Sequence, residues 1–133
     1  MRATLIYGAG DVRVEDVPDS TIQQPRDAIV SVLCACVFGS DTWRYRSVPA
    51  TEHGRRMGHK FLDVVEETCA AVSGLRRGDL VVVPFVWAET TCDFCREGLH
   101  TSCRHGGSCA RNGIDRAEGE AVRVPKAQGT LCR

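Results

Sequence analysis

Glu89, Cys92, Cys95 and Cys103 stand in the order E-x2-C-x2-C-x7-C, three thiols and a carboxylate within fifteen residues. Zn²⁺ takes four ligands tetrahedrally, prefers thiolate sulfur and accepts carboxylate oxygen, so the four residues form a candidate metal set. A C-x2-C step lets two thiolates share one ion across a tight turn, and the longer gap brings the chain back with another. The same cysteines are open to other readings: a disulfide pair, a redox C-x2-C, or packing as small apolar residues. A redox role needs a thiolate whose pKa is depressed by its surroundings. Asp93 and Phe94 between the two cysteines lend no such help, and Glu89 opposes it. His100 and His105 lie in and just beyond this segment, so an imidazole in place of Glu89 is a second way to complete the set.

Bulk composition narrows the classes. Lys plus Arg equals Asp plus Glu at 17 each, so no basic field recruits nucleic acid. No run reaches the ~18 apolar residues that a membrane span requires. Met1 to Gly8 is too short an apolar stretch for an export signal, and the expected address is cytoplasmic. Eight cysteines in a reducing compartment read as free thiols and metal ligands rather than as a disulfide framework. At 133 residues one domain with a real core is expected.

The elements that must position these residues are mostly strands. Ala3, Leu5 and Tyr7 alternate with Thr4 and Ile6, Gly8 to Asp11 turns the chain, and Val12, Val14 and Val17 return. The Gly-x-Gly in that turn is a hairpin feature, since no helical pattern with a third glycine follows. Ala28 to Phe38 is the strongest strand, apolar on both faces and therefore expected to be covered on both. Tyr45 to Met57 reads as an Arg-rich loop. Phe61 to Cys69 and Leu80 to Val83 are further strands, the latter limited to a sheet edge by Pro84. Ala121 to Pro125 makes one more. No long segment carries a helical period, and short strands with Gly and Pro punctuation point to a small barrel.

Three stretches together resemble the zinc-dependent medium-chain alcohol dehydrogenases. Phe38-Gly39-Ser40-Asp41 is similar to that family's Cys-Gly-Ser-Asp, and Gly58-His59-Lys60-Phe61 to its Gly-His-Glu-Phe. Gly78-Asp79-Leu80-Val81 matches its Gly-Asp-x-Val, and the cysteine lobe, about 88–110, falls where the family keeps a structural zinc. The resemblance implies a mainly β fold, the GroES-like partly open β-barrel with short helices and a zinc-binding lobe. It would span residues 1–133, with structural Zn²⁺ held by Glu89, Cys92, Cys95 and Cys103. The family's Rossmann domain is absent from the chain, so NAD(P) is expected only if such a domain is supplied elsewhere.

The resemblance also assigns a catalytic centre and shows it to be incomplete. The family reaction is NAD(P)-dependent oxidation of an alcohol to an aldehyde or ketone, with a zinc ion polarising the alcohol oxygen. The resemblance assigns its first ligand to position 38, its second to His59 and its third to the missing half. Position 38 is phenylalanine, which has no lone pair for a metal. Cys36 lies about 6.5–7 Å away along the same strand face, and its ordinary reading is a buried small residue. Lys60 replaces the family's carboxylate, and two unit positive charges ~5 Å apart cost about 3 kcal/mol at an effective dielectric of about 20. Ser40 matches the hydroxyl that bonds the substrate oxygen, and Asp41 the carboxylate that orients His59. Both residues are equally at home at a helix N-terminus. Trp43 stands where many members carry a relay histidine and reads as a packing aromatic. Arg44, Arg46, Arg55 and Arg56 read as a solvated face, while the resemblance implies that this region borders the cleft, with a role near cofactor phosphates as the alternative.

The expected function is thus a zinc-binding alcohol dehydrogenase-like oxidoreductase domain, inactive by itself. The alternative is a zinc-stabilised interaction module docking to a full-length dehydrogenase subunit, or associating with its own copies through a face the missing half leaves open.

Overall fold

The computed structural model describes residues 1–108 and 118–133. Nine strands and three short helices are present among them. Strand β1 (Arg2–Gly8) pairs antiparallel with β2 (Asp11–Asp16) through the expected hairpin, and Gly10 at the turn has φ 75°, a left-handed conformation that glycine adopts freely. On its other edge β1 takes the two-residue β4 (Arg55–Arg56).

A four-stranded antiparallel sheet forms the body, in the order β6 (Leu80–Val83), β5 (Phe61–Thr68), β3 (Ala28–Ala35), β9 (Ala121–Val124). Pro84 ends β6, and β6 is an edge strand, as its missing N–H requires. The third sheet is a pair, β7 (Val86–Trp87) with β8 (Gly107–Ser108). The three sheets are not closed into a barrel. The core on the four-stranded sheet is built mainly from β-branched side chains: Val30, Val65, Val81, Val83, Val122 and Val124, with Phe61 and Leu131. Burying one such side chain stabilises the fold by about 1.5–3 kcal/mol.

Two expectations about β3 and its sequel fail for one reason. Coverage on both faces was expected to Phe38, yet Leu33 is 59 % exposed, Phe38 is 55 % exposed, and Cys34, Cys36 and Val37 are exposed too. The β9 ladder reaches only Ser31, and a register shift lies between Val32 and Cys34. Beyond Ser31 one flank of β3 has no neighbouring strand, so its alternation no longer maps onto two covered faces.

The chain then enters α1 (Gly39–Ser47), which the sequence pattern did not disclose. Asp41 is the only buried residue in this helix, so no apolar stripe marks it. Its start is fixed instead by a side-chain cap: the Phe38 N–H donates to Asp41 Oδ2 at 2.9 Å. Its end is fixed against the hairpin, where Gly10 N–H donates to Tyr45 O and Ala9 N–H to Val48 O. Trp43 is 70 % exposed, which corrects the reading of it as a packing residue.

Asp63 breaks the core pattern. It lies on the inward face of β5 with Phe61 and Val65, is fully buried, and neither carboxyl oxygen has a hydrogen-bond partner among the described residues. Burial pushes its pKa from 3.8 to about 8. Folding therefore takes up a proton between those values. The stability associated with the neutral acid is complete below about pH 4 and falls as pH rises towards 8. At pH 7 the penalty is on the order of 4 kcal/mol. Replacing this group with a β-branched apolar residue of similar size removes it. Asp63→Val is expected to gain about 2 kcal/mol or more in urea unfolding at pH 7.5, with the gain shrinking towards pH 5. Equal stability of the two proteins at both pH values contradicts this account.

Candidate functional site

The lobe is built by a short loop after β7. Cys92 stands immediately before α2 (Asp93–Arg96), Cys95 lies within it, and Cys103 follows a single 3-10 turn at His100–Ser102. This folding brings Cys92 Sγ to 3.5 Å from Cys95 Sγ and 3.9 Å from Cys103 Sγ. All three sulfurs lie within 4.8 Å of one another, close enough to share one tetrahedral ion. The backbone N–H groups of Cys95 and Arg104 point at the Cys92 sulfur and lower its pKa to about 7. Burial, with Cys103 and Cys92 alongside, raises that of Cys95 to about 11. A divalent cation would compensate the crowding of three thiolates. The donor chemistry thus fits Zn²⁺, and Cys92, Cys95 and Cys103 would hold it.

Arg104 closes the lobe from outside with two hydrogen bonds to the Asp93 carboxylate, at 2.8 and 2.6 Å, and holds that group at about 2. Glu89 stands at the lobe's edge but is turned to other partners. Its Oε1 lies 2.5 Å from His105 Nδ1, and its Oε2 3.8 Å from Lys126 Nζ. Burial opposes ionisation of Glu89, but His105 and Lys126 outweigh it and keep its pKa below the usual value. Of the three groups weighed for the fourth position, Glu89 and His105 are therefore bonded to each other. His100, in the 3-10 turn, is exposed. Cys109 and the rest of residues 109–117 lie outside the described residues.

The second constellation is a cleft of about 370 Å³ at the start of α1, lined by Phe38, Ser40, Asp41, Arg44, His59, Lys60 and Phe85. The sequence separates its two halves by about twenty residues. The hydrogen-bonded passage from β3 into α1 and the glycine before His59 bring them together. Gly58 has φ 86°, which lets the chain reverse just before β5 and present the imidazole to the helix. Within the cleft Asp41 Oδ1 lies 3.4 Å from His59 Nδ1, and His59 Nε2 lies 3.3 Å from Ser40 Oγ. Asp41, Ser40 and His59, singled out from three separate positions in the sequence, thus form one continuous polar line.

The rest of the cleft differs from a metal centre. The Phe38 ring stands edge-on to the His59 ring, centroids 6.3 Å apart and planes at 79°. Lys60 Nζ sits 4.0 Å above the Phe38 ring and 5.7 Å from the Phe85 ring. Cys36, the weighed substitute for position 38, is exposed, and its backbone N–H donates to Lys60 O at 3.2 Å. Among the described residues, the one group of three or more metal-ligating side chains drawn together is the cysteine triad. Two participants were not named as site residues from the sequence. Arg44 was grouped with a solvated face, although its spacing of four from Ser40 on a helix would have placed both on one side. Phe85 carried no signal, since a lone aromatic after a proline marks nothing by itself.

Comparison with known proteins bears on the family and the fold. The family model for the alcohol dehydrogenase GroES-like domain matches residues 24–131. The medium chain reductase/dehydrogenase ucsI of an Acremonium species is 34 % identical over all of this chain and 46 % of its own length. The zinc-type alcohol dehydrogenase B of Aspergillus flavus is 31 % identical, again over the whole chain but only 31 % of its own. Alcohol dehydrogenase TADH from Thermus sp. ATN1 superposes with a TM-score of 0.88 at 32 % identity, over 99 % of this chain and 39 % of that one. The chain thus spans between about a third and a half of the length of these relatives. It belongs to the alcohol dehydrogenase GroES-like domain family.

Proposed function

We propose that these 133 residues form a zinc-stabilised domain of dehydrogenase type that does not oxidise alcohols by itself. The observation that carries the proposal is Phe38, whose ring lies beside His59 at the place where an ion would need a donor. A catalytic zinc requires three protein ligands and an open position, and His59 alone offers one. The ammonium of Lys60 in the same cleft further disfavours a divalent cation there. The residues present therefore do not fit a catalytic ion, and no chemical step is assigned to one.

The structural ion is a different matter. Three convergent sulfurs support Zn²⁺ at Cys92, Cys95 and Cys103, with Glu89 as the fourth ligand once its carboxylate rotates away from His105. A bound ion stabilises the fold by contributing its binding free energy to the folded state. Ser40, Asp41 and His59 are read as the remnant of the family's catalytic line: a hydroxyl, an imidazole and the buried carboxylate that orients it. Hydride transfer from an alcohol needs an acceptor, and NAD(P) would have to come from a cofactor domain outside these residues. The purified, zinc-loaded chain is expected to give no NADH or NADPH above blank with ethanol, 2-butanol or benzyl alcohol. Zinc-dependent production of either reduced cofactor overturns the proposal.

A second reading, a domain that acts through contacts, is favoured by one feature. Leu80 and Val82 on edge strand β6 are about half exposed, with the partly buried Leu62 and Val64 beside them on β5. Adjacent apolar side chains on one sheet face are the usual mark of an interface. The partner proposed is another dehydrogenase-type subunit or a second copy of this chain. Sedimentation of the chain is then expected to show a dimer at micromolar concentration, dissociated by Val82→Lys. A monomer at all concentrations, with no binding to a full-length relative, removes this reading.

A further inference from the structure

The cleft holds two cations that no described residue neutralises. Arg44 and Lys60 both line it, and neither has an ion-pair partner among the described residues. The one carboxylate in the lining, Asp41, is buried and already engaged by the Phe38 N–H and by His59. The lining thus sets two basic side chains against one acidic one, inside a chain whose formal net charge is zero.

The walls around this charge are aromatic. Lys60 Nζ rests on the face of Phe38 and within reach of Phe85, both largely exposed to the cleft mouth. A ring quadrupole partly replaces water around an ammonium group, but it supplies no counter-charge. Arg44 stands one helical turn beyond Ser40, so the guanidinium and the hydroxyl share a side of α1. An anion entering here meets an ammonium, a guanidinium and a hydroxyl, with two phenyl rings for whatever is attached to it.

We propose that this cleft, without any metal, binds a small organic carboxylate, its charged end at Lys60 and Arg44 and its apolar body against Phe38 and Phe85. In this arrangement Lys60 supplies the positive charge that an ion supplies in the zinc-dependent relatives. Phe38 is then a wall of the site rather than only a lost ligand. The inference does not require that the chain lack turnover, because binding is read directly and without cofactor.

Calorimetric titration of the zinc-loaded 133-residue chain with benzoate tests it. Benzoate is expected to bind with a millimolar or lower dissociation constant, at least about tenfold more tightly than the uncharged benzamide. It should also bind more tightly than inorganic sulfate, which has charge but no apolar body. Lys60→Gln and Arg44→Gln, both at exposed or half-exposed positions, are each expected to weaken benzoate about tenfold while zinc content and circular dichroism stay unchanged. Equal affinity for benzoate and benzamide, or affinity unaltered in both variants, overturns the proposal. Sulfate binding as tightly as benzoate overturns the part assigned to the rings.

Discussion

Electron-pair donation decides what the cleft at the start of α1 can hold. Thiolate, imidazole and carboxylate each place a lone pair at a metal ion; a phenyl ring has only a diffuse, weakly negative face. With Phe38 at the end of β3, that face meets an ammonium instead of an ion, and Lys60 has settled on it. The two departures from the family pattern are thus physically coupled. A lysine beside a resident zinc would be repelled, whereas a lysine over an aromatic ring gains about 0.5–2 kcal/mol depending on its exposure. Around the pair, the line Asp41–His59–Ser40 is held by the Asp41 carboxylate cap on the Phe38 N–H and by the positive φ of Gly58, neither of which depends on the side chain at position 38.

The thiol lobe follows the opposite logic. Its donors remain, and their convergence does not depend on the cleft, since α2 and the 3-10 turn position all three sulfurs within one short stretch. Local construction of this kind survives changes elsewhere in a fold. It also explains why the lobe was legible from spacing alone: ligands close in sequence need only one turn and one return to meet. Glu89 is the exception, lying on the far side of a residue with positive φ, Thr90, and committed to His105 and Lys126.

The strands were legible where alternation and turn residues agree, as in the β1–β2 hairpin and the β5–β6 pair. What escaped was set by neighbours that no periodicity announces. Helix α1 has no apolar stripe and is held by a carboxylate cap and by bonds to a distant hairpin turn. The exposure of Leu33 and Val37 follows from where β9 stops, which lies some ninety residues away in the chain. Nothing in the strand pattern marked Asp63, which faces the core with no hydrogen-bond partner for either carboxyl oxygen among the described residues, a choice that weakens the fold at neutral pH. Family motifs recovered the cleft where local pattern could not, because they mark residues that meet only in three dimensions.

The central claim is that donors for one ion are present and donors for a second are not. Metal analysis of the purified chain, after exchange into metal-free buffer, addresses it most directly. About one zinc per chain, lost on reacting the cysteines, is the predicted result. Two zinc ions per chain, with the second released by His59→Ala, would contradict it.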